Sequence, residues 1–295
     1  MLYRSAADLD FDLSDCASLP RPGRVLLTTP EHFDVQYAIN PHMAGNEDSV
    51  NAGEAGKQWR ALREAYRSLS LPVEELPGAE GLPDMVFCAN QTLPFYKDGE
   101  KGVVISRMHA AERRDEVPHY ARFFRRRGYE VLRLPDDVDG AFEGMGDALW
   151  HPRRHLLWGG HGVRTAPAIY EHISEALDVP VVLLTLSDDD FYHLDTCFSV
   201  LDERSVLIHP GAFDDDGLAL IHDLFERVIE APEDEARELF ACNAHCPDEE
   251  HVLIQRGCDT TTRLLRDAGF APVELETSEF LKAGGSVFCM KLMFW

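Results

Sequence analysis

The chain repeats one arrangement of apolar and polar positions five times. Each copy opens with a short run of β-branched residues or leucine that ends in small or polar residues, a pattern typical of a buried strand entering a loop. A helical stretch follows, in which apolar residues return at spacings of three and four, and a second short strand comes next. Opening strands are predicted at 24–30, 102–107, 155–161, 205–211 and 251–257.

Helices and second strands continue each copy in the same order. Alternating strands and helices predict an α/β protein. The helices are predicted at 56–69, 118–127, 167–177, 218–229 and 260–268, and the second strands begin near 73, 129, 179, 227 and 271.

A third segment of each copy carries the polar chemistry and is predicted as a strand. Each of these segments places an aromatic residue a few positions before Asn, Glu, His, Asn or Cys, so five equivalent strands would present different polar groups to one central channel. An ordinary doubly wound sheet is the alternative, but neither the dinucleotide nor the phosphate-loop glycine motif is present. The segments are 83–90, 141–147, 191–195, 239–243 and 286–289.

Charge excludes one large class of partner. The formal net charge is −24, from 28 basic and 52 acidic residues, and nucleic-acid binding needs a basic surface. The acidic runs at 188–190 and 214–216 indicate either adaptation to high salt or simply an acidic cytoplasmic enzyme.

Other features favour a soluble protein of the cytoplasm. The N-terminus is acidic where a signal peptide would be apolar, and no run approaches the roughly 20 apolar residues of a membrane span. Seven scattered cysteines are typical of free thiols in a reducing compartment. Cys242, His245 and Cys246 are close together, but without a second ligand pair we interpret the two cysteines as buried thiols and not as zinc ligands.

A thiol and an imidazole–carboxylate pair are the strongest catalytic candidates. Cys289 follows Gly284 and Gly285, whose backbone N–H groups could face a substrate. His193 and Asp195 are two positions apart, so on a strand they would share one face. Glu143 could accept a hydrogen bond from the imidazole. Together they favour nucleophilic attack on a carbon that bears a nitrogen leaving group.

Six short motifs are spread from about Arg24 to the C-terminus. They are Phe-Asp-Val at 33–35 with Ile-Asn-Pro at 39–41, Leu-Pro-Asp-Met-Val-Phe at 82–87, Phe-Glu-Gly-x-Gly-Asp at 142–147, Gly-x-Arg-Thr at 162–165, His-Leu-Asp-Thr at 193–196 and Gly-Gly-Ser-x-x-Cys at 284–289. Together they closely resemble the motifs of the amidinotransferase and guanidine-modifying enzyme superfamily. The resemblance implies a pseudo-fivefold α/β propeller of ββαβ units, one catalytic domain at 23–295 and an N-terminal extension at 1–22.

The same resemblance implies a role for each candidate residue. Cys289 would attack a guanidinium carbon, His193 would protonate the leaving amine and then activate water, and no metal or organic cofactor is required. Glu143 would support His193 and, with Asp195, hold guanidinium N–H groups. Arg107 and Arg164 would bind the α-carboxylate of the substrate.

Asn90 distinguishes this chain from most deiminases, which have an aspartate at that place. An amide both donates and accepts hydrogen bonds, so it could hold a guanidinium and afterwards a neutral ureido carbonyl. With Asn40 and the segment 280–285, this makes the chain most similar to the arginine dihydrolases, which convert arginine through citrulline to ornithine, ammonia and carbon dioxide. The best-known of these carry an additional C-terminal domain, whereas this sequence stops at residue 295.

Other functions stay open at this point. A dimethylarginine dimethylaminohydrolase is the first alternative, followed by an amidinotransferase and by an inactive propeller that only binds arginine. The expected partner in each case is a small guanidino amino acid, and a homo-oligomer is possible.

Overall fold

The computed structural model describes all 295 residues and contains fifteen strands and seven α-helices. The strands are β1 (Leu2–Tyr3), β2 (Arg24–Thr28), β3 (Val73–Leu76), β4 (Thr92–Lys97), β5 (Glu100–Ile105), β6 (Glu130–Arg133), β7 (Ala148–Trp150), β8 (Leu157–His161), β9 (Val181–Thr185), β10 (Phe198–Val200), β11 (Ser205–Ile208), β12 (Arg227–Glu230), β13 (His251–Gln255), β14 (Ala271–Leu275) and β15 (Lys291–Phe294). The helices are α1 (Ala52–Ser68), α2 (Val117–Arg125), α3 (Ile169–Leu177), α4 (Asp215–Leu224), α5 (Glu233–Glu238), α6 (Asp259–Asp267) and α7 (Ser278–Leu281).

Five small sheets divide the chain into the five predicted units. In four of them a short strand pairs antiparallel with the opening strand, which pairs parallel with the strand after the helix. These sheets have the orders β15-β2-β3, β4-β5-β6, β7-β8-β9 and β10-β11-β12, while the fifth contains β13-β14 and a single bridge between His245 and Leu253. Because β15 pairs with β2, the C-terminal strand completes the first sheet.

The helices form where the sequence supplies both a cap and an apolar face. In α1, the side chain of Asn51 accepts a hydrogen bond from Glu54 N at 3.1 Å, which satisfies one of the free N–H groups of the first turn. Trp59, Leu62 and Tyr66 recur at spacings of three and four and are buried, so this face packs onto the first sheet. All five predicted helices are confirmed within a few residues, but α4 ends at Leu224 and not at 229, because β12 begins at Arg227.

The prediction of a strand in the third segment of each unit is wrong. The segments 83–86, 144–146 and 194–196 are short 3-10 helices, and 240–244 and 286–290 are turns or irregular chain. The missing strand comes directly afterwards, as β4, β7, β10 and β15. We call the five segments 83–91, 143–147, 193–197, 240–244 and 286–290 the axial turns.

Hydrogen bonds join the axial turns into a closed ring. Ala89 N donates to Cys289 O, Met145 N to Ala89 O, Leu194 N to the Asp147 carboxylate, Asn243 Nδ2 to Asp195 O, and Phe288 N to Asn243 O, all at 2.8–3.2 Å. Each turn is therefore bonded to the next, and the last to the first. This arrangement gathers polar side chains from distant parts of the sequence around one axis.

The N-terminal segment packs against the third unit. Strand β1 adds to the edge of that sheet, with Leu2 beside Val181 of β9 in a parallel pair. Leu19 N also donates to Arg153 O at 2.8 Å. No helix combines the length and apolar character that crossing a membrane requires.

Candidate active site

A small cavity lies between the axial turns, the loop that precedes α1 and the chain at 283–284. Four of the residues proposed from the sequence line it: Asn40, Asn90, Arg164 and Cys289. The other lining residues are Ile39, Met43, Asp84, Phe87, Arg113, Tyr192, Ala283 and Gly284.

The Cys289 thiol is held by two polar side chains. Its Sγ donates to Asp195 Oδ2 at 3.2 Å and accepts a hydrogen bond from Asn243 Nδ2 at 3.1 Å. Asn243 Oδ1 also accepts from Ser286 N and Cys289 N, and these two bonds place the amide N–H toward the sulfur. Burial and the adjacent Asp195 carboxylate raise the pKa of the Cys289 thiol well above its usual value, so Cys289 is a neutral thiol in this site.

Asp195 is the half-partnered member of this pair. Its Oδ2 accepts a hydrogen bond from the thiol, whereas its Oδ1 is buried without a hydrogen-bond partner. Burial raises the pKa of Asp195 to about 7, although the thiol hydrogen bond acts in the opposite direction. A buried carboxylate oxygen with an unused lone pair is suited to accept a hydrogen bond from a cationic ligand.

His193 and Asp195 do not share a face. His193 is extended and precedes the 3-10 helix that contains Asp195, so the strand periodicity assumed in the prediction does not apply. The imidazole turns toward Glu143, with His193 Nε2 at 2.8 Å from Glu143 Oε2. Asp195 turns instead toward Cys289.

Glu143 is fully satisfied and ionised. Its Oε2 also accepts a hydrogen bond from Arg164 Nη1 at 2.9 Å, and its Oε1 accepts one from His109 N at 2.9 Å. Burial works against the charged form, but the hydrogen bond to His193 and the charge of Arg164 outweigh it and hold the pKa of Glu143 well below its usual value. Glu143 is therefore a fixed negative charge that orients the imidazole.

Asn90 links the imidazole to a buried arginine. Its Oδ1 accepts a hydrogen bond from Arg113 Nη1 at 3.0 Å, and its Nδ2 lies 3.3 Å from His193 Nδ1. Since Arg113 can only donate, the amide nitrogen must face the imidazole, and His193 then carries its proton on Nε2 toward Glu143. A Cβ atom at Gly146 would lie 2.3 Å from Asn90 Nδ2, so only glycine leaves room for this pair.

The loop at 34–51 closes the cavity on the opposite side. Ile39 O accepts from Arg164 Nη2 at 2.8 Å, Asn40 Nδ2 donates to Ala283 O at 3.1 Å, and the Tyr37 hydroxyl donates to Asp84 Oδ2 at 2.9 Å. Burial raises the pKa of Asp84, and its Oδ1 has no hydrogen-bond partner. Asp84 lines the cavity, so this carboxylate oxygen is available to accept a hydrogen bond from a ligand.

The glycines before Cys289 have a different use from the one expected. Gly284 N donates to Leu281 O and Gly285 N to Phe280 O, so neither N–H faces the cavity. Gly284 has a φ of +80°, and a Cβ there would lie 2.8 Å from Asn40 Oδ1. The glycines terminate α7 and bring the chain close to Asn40.

Arg107 is not brought together with the other candidates. Its guanidinium donates to the carbonyl groups of Leu134, Pro135, Val138 and Gly140, and it lines a separate cavity beside α2. Its predicted contact with a substrate carboxylate stays a prediction.

Sequence reasoning missed the supporting residues Arg113 and Asp84 and gave no role to Asn243. Asp84 and Asn243 lie within the aligned segments, so their positions were available as a signal. Arg113 forms a buried ion pair at 3.0 Å with Glu116, three positions later, and such a pair has the spacing of an ordinary helix-surface pair. No group of three or more His, Cys, Asp or Glu side chains is arranged to hold a metal ion.

Comparison with known proteins places this arrangement in a family. The family model for N,N dimethylarginine dimethylhydrolase, eukaryotic, matches residues 29–293. The chain belongs to this family. It is 35% identical over 290 residues to the N(G),N(G)-dimethylarginine dimethylaminohydrolase of Mycobacterium tuberculosis, an alignment that covers 98% of this chain and 91% of that protein.

Arginine dihydrolases are also similar to this member of the family. The bifunctional arginine dihydrolase/ornithine cyclodeaminase ArgZ of Synechocystis sp. is 38% identical over 272 residues, or 91% of this chain, but the chain spans only 37% of that relative's length. The crystal structure of the N-terminal domain of ArgZ bound to substrate superposes with a TM-score of 0.84 at 37% identity, covering 92% of this chain and 97% of that one. This match confirms the α/β propeller.

Proposed function

We propose that this chain is an arginine dihydrolase, a hydrolase of the guanidino C–N bonds of free arginine. The overall reaction would consume arginine and two waters and yield ornithine, two ammonia molecules and carbon dioxide. Support comes from the similarity to ArgZ and, above all, from Asn90, whose oxygen bonds to Arg113 and whose N–H₂ group faces His193.

Cys289, His193 and Glu143 would carry the chemistry. The thiolate attacks the guanidinium carbon, the imidazole protonates the departing ammonia, and a covalent S-alkylthiouronium is left on the sulfur. His193 then takes a proton from the attacking water, and citrulline is released. Glu143 stays ionised throughout, so the imidazolium that forms in each cycle has a counter-charge.

The remaining candidates would bind the substrate. Asp195 accepts guanidinium N–H groups through its free Oδ1, and Asn40 lines the cavity beside Cys289. Arg164 and Arg107 would bind the α-carboxylate. Arg164 is already in the cavity, while Arg107 would have to exchange its carbonyl partners for the ligand.

Asn90 is the reason to propose two rounds of hydrolysis. Citrulline is neutral and presents a carbonyl oxygen, which an ionised carboxylate repels and an amide N–H can bind. An aspartate in this position would pair with Arg113 and offer acceptors only. The amide therefore suits both the cationic first substrate and the neutral second one.

Incubation with arginine, citrulline and N(G),N(G)-dimethylarginine, followed by mass spectrometry, would test the proposal. We expect ornithine from both arginine and citrulline, and no product from the variant Cys289→Ala. The variant Asn90→Asp should convert arginine to citrulline but lower the ornithine to citrulline ratio by at least about tenfold, the size expected when a buried hydrogen-bond partner is lost. Citrulline that accumulates without ornithine in the wild type would contradict a dihydrolase.

Dimethylarginine hydrolysis is the second candidate. It is favoured by the family model and by the Mycobacterium tuberculosis relative, which this chain matches over most of both lengths. The same incubation distinguishes the two, because release of dimethylamine with accumulation of citrulline would identify that activity.

We further propose that residues 23–295 form the catalytic domain and that the protein acts in the cytoplasm. All seven cysteines are free, and five of them are buried, in keeping with a reducing compartment. Limited proteolysis that removes 1–22 and leaves activity intact would support this domain boundary, and loss of activity would contradict it.

A further inference from the structure

Lys291 is a buried cation that the proposed chemistry does not use. It begins β15, two residues after Cys289, and none of its surface is exposed. Its Nζ has no hydrogen-bond partner, forms no ion pair, and lies 2.9 Å from the centroid of the Phe288 ring. The Phe288 ring gives the ammonium a cation–π contact but no counter-charge, so its burial still costs stability and calls for a compensating role.

Three of the four groups around Lys291 belong to the axial turns, and the fourth, His245, directly follows one of them. The charged or titratable groups that act on it are Asp195, Cys88 and Cys289, and it acts in turn on His245. Burial, and after it the charge of Lys291, lowers the pKa of His245, while burial lowers the pKa of Lys291 itself to about 7. Asp195, whose Oδ1 has no partner, is the largest influence that favours the ammonium form.

Lys291 does not line the substrate cavity. It is absent from the residues that line the cavity at Cys289, and instead lines a separate, larger one with Met145, His245 and Phe288. A substrate in the cavity would therefore meet Cys289, whose thiol is bonded to Asp195, without touching Lys291.

Counting charges shows what the ammonium would change. Taken by themselves, a neutral thiol, an ionised Asp195 and a protonated Lys291 have no net charge, while the charges of Glu143 and Arg164 cancel in their ion pair. A bound guanidinium adds one positive charge, and loss of the thiol proton restores neutrality. Without Lys291, neutrality would be reached with the thiol still protonated. In a buried site of low dielectric constant, this difference strongly affects the ionisation of Cys289.

We propose that Lys291 is a positioning residue for Cys289, whose ammonium makes formation of the thiolate favourable when a guanidinium substrate binds. The proton of the thiol leaves to solvent as the substrate cation takes its place, so the total charge of the site is unchanged. This inference rests on the proposed function only in requiring a cationic amidine or guanidine substrate.

The test compares Lys291→Met and Lys291→Gln with wild type and with Lys101→Met, which removes an exposed lysine. Alkylation of Cys289 in the full-length chain is followed by peptide mass spectrometry from pH 6 to 10, with cationic chloroacetamidine and neutral chloroacetamide. We expect both Lys291 variants to fold with an unchanged or higher thermal midpoint. The rate at which chloroacetamidine alkylates Cys289 at pH 7 should fall at least tenfold in both variants. The midpoint of the rate's pH profile should move up by at least one pH unit, because one unit corresponds to a tenfold change in the thiolate fraction.

Two results would overturn the inference. Alkylation rates and pH profiles within twofold of wild type would show that the ammonium does not act on the thiol. Failure of both variants to fold would show that Lys291 is a structural anchor. The proposed function is tested separately. A shifted alkylation profile in a protein that makes no ornithine would support this inference and contradict the dihydrolase. An unshifted profile in a protein that makes ornithine would contradict this inference and support the dihydrolase.

Discussion

Glu143 and Asp195 are both completely buried in the ring of axial turns, yet their environments have opposite effects. Glu143 has a partner for each oxygen, including His193 and Arg164, and the pKa of its carboxyl is held low against the effect of burial. Asp195 has one partner, the neutral thiol of Cys289, and burial raises its pKa to about 7. A carboxylate whose two oxygens both have hydrogen-bond partners serves as fixed support. A carboxylate with one free oxygen is available to a ligand.

The difference also teaches where stability and function conflict. Glu143 neutralises a buried guanidinium, so it holds the site together. The ionised Asp195 carboxylate lowers the free energy of unfolding above its folded pKa. The difference between 3.8 and about 7 corresponds to a loss on the order of 4 kcal/mol, since one pH unit is worth about 1.4 kcal/mol. That cost is retained where a cationic substrate can relieve it.

The largest effect should come from Glu143→Gln. The change leaves the buried Arg164 guanidinium without its counter-charge, so we expect a loss of about 3–5 kcal/mol in the free energy of unfolding together with loss of activity. Urea unfolding at pH 7.5 measures it. The control is Glu54→Gln, which breaks an exposed pair with Lys57 and should cost no more than about 1 kcal/mol. Equal losses in the two variants would remove the distinction we draw.

Asp195→Asn should act in the opposite direction on stability. The folded carboxyl binds its proton more tightly than the unfolded one, so wild-type stability falls as pH rises from about 4 to 7 and the cost is complete above pH 7. The amide avoids this cost. We expect the variant to be about 1–3 kcal/mol more stable than wild type at pH 8, similar to it at pH 4, and inactive. Destabilisation at pH 8 would show that Asp195 is support, like Glu143.

The pH dependence of wild-type turnover would sharpen the comparison without any mutation. If Asp195 must be ionised to bind a guanidinium, kcat/KM for arginine should fall about tenfold per unit below pH 7. Citrulline is neutral and needs this carboxylate less, so its kcat/KM should fall less steeply in the same range. If kcat/KM fell equally steeply below pH 7 for arginine and for citrulline, the loss of activity would belong to the titration of a group other than Asp195.

Thr165→Val should have the smallest effect. The hydroxyl accepts a hydrogen bond from Glu143 N at 3.1 Å and donates to Asp147 Oδ2 at 2.6 Å. Burial raises the pKa of Asp147 to about 6, against the effect of this bond. Loss of the hydroxyl should cost about 1–2 kcal/mol and reduce kcat severalfold without altering the product ratio. Thermal unfolding and product analysis check both expectations, and a changed ratio would connect Thr165 to Asn90.

The strands and helices were predictable because burial alone produces their apolar periods. The opening strands and all five helices appear where the sequence places them. The axial turns were not recognised, because short apolar segments have no period that separates a strand from a 3-10 helix. As a result the sequence placed His193 and Asp195 on one face, although the turn sends one side chain to Glu143 and the other to Cys289.

Contacts between distant residues were the other limit. Motifs were enough to select Cys289, His193, Glu143 and Asn90 as candidates. They could not show that Arg113 fixes the orientation of the Asn90 amide, or that Lys291 is buried outside the cavity that Cys289 lines, since both features depend on how the five units close into a ring. The ring also decides that Arg107 bonds to backbone carbonyls outside the cavity.

The most direct test of the account is the stoichiometry of one reaction. Wild-type protein is supplied with arginine labelled with ¹³C at the guanidino carbon and with ¹⁵N at its two terminal nitrogens, and labelled carbon dioxide, labelled ammonia, citrulline and ornithine are counted. We predict one ornithine, one labelled carbon dioxide and two ammonia molecules for every arginine consumed, because Asn90 admits citrulline to a second round. One ammonia and one citrulline per arginine, with no labelled carbon dioxide, would contradict the account.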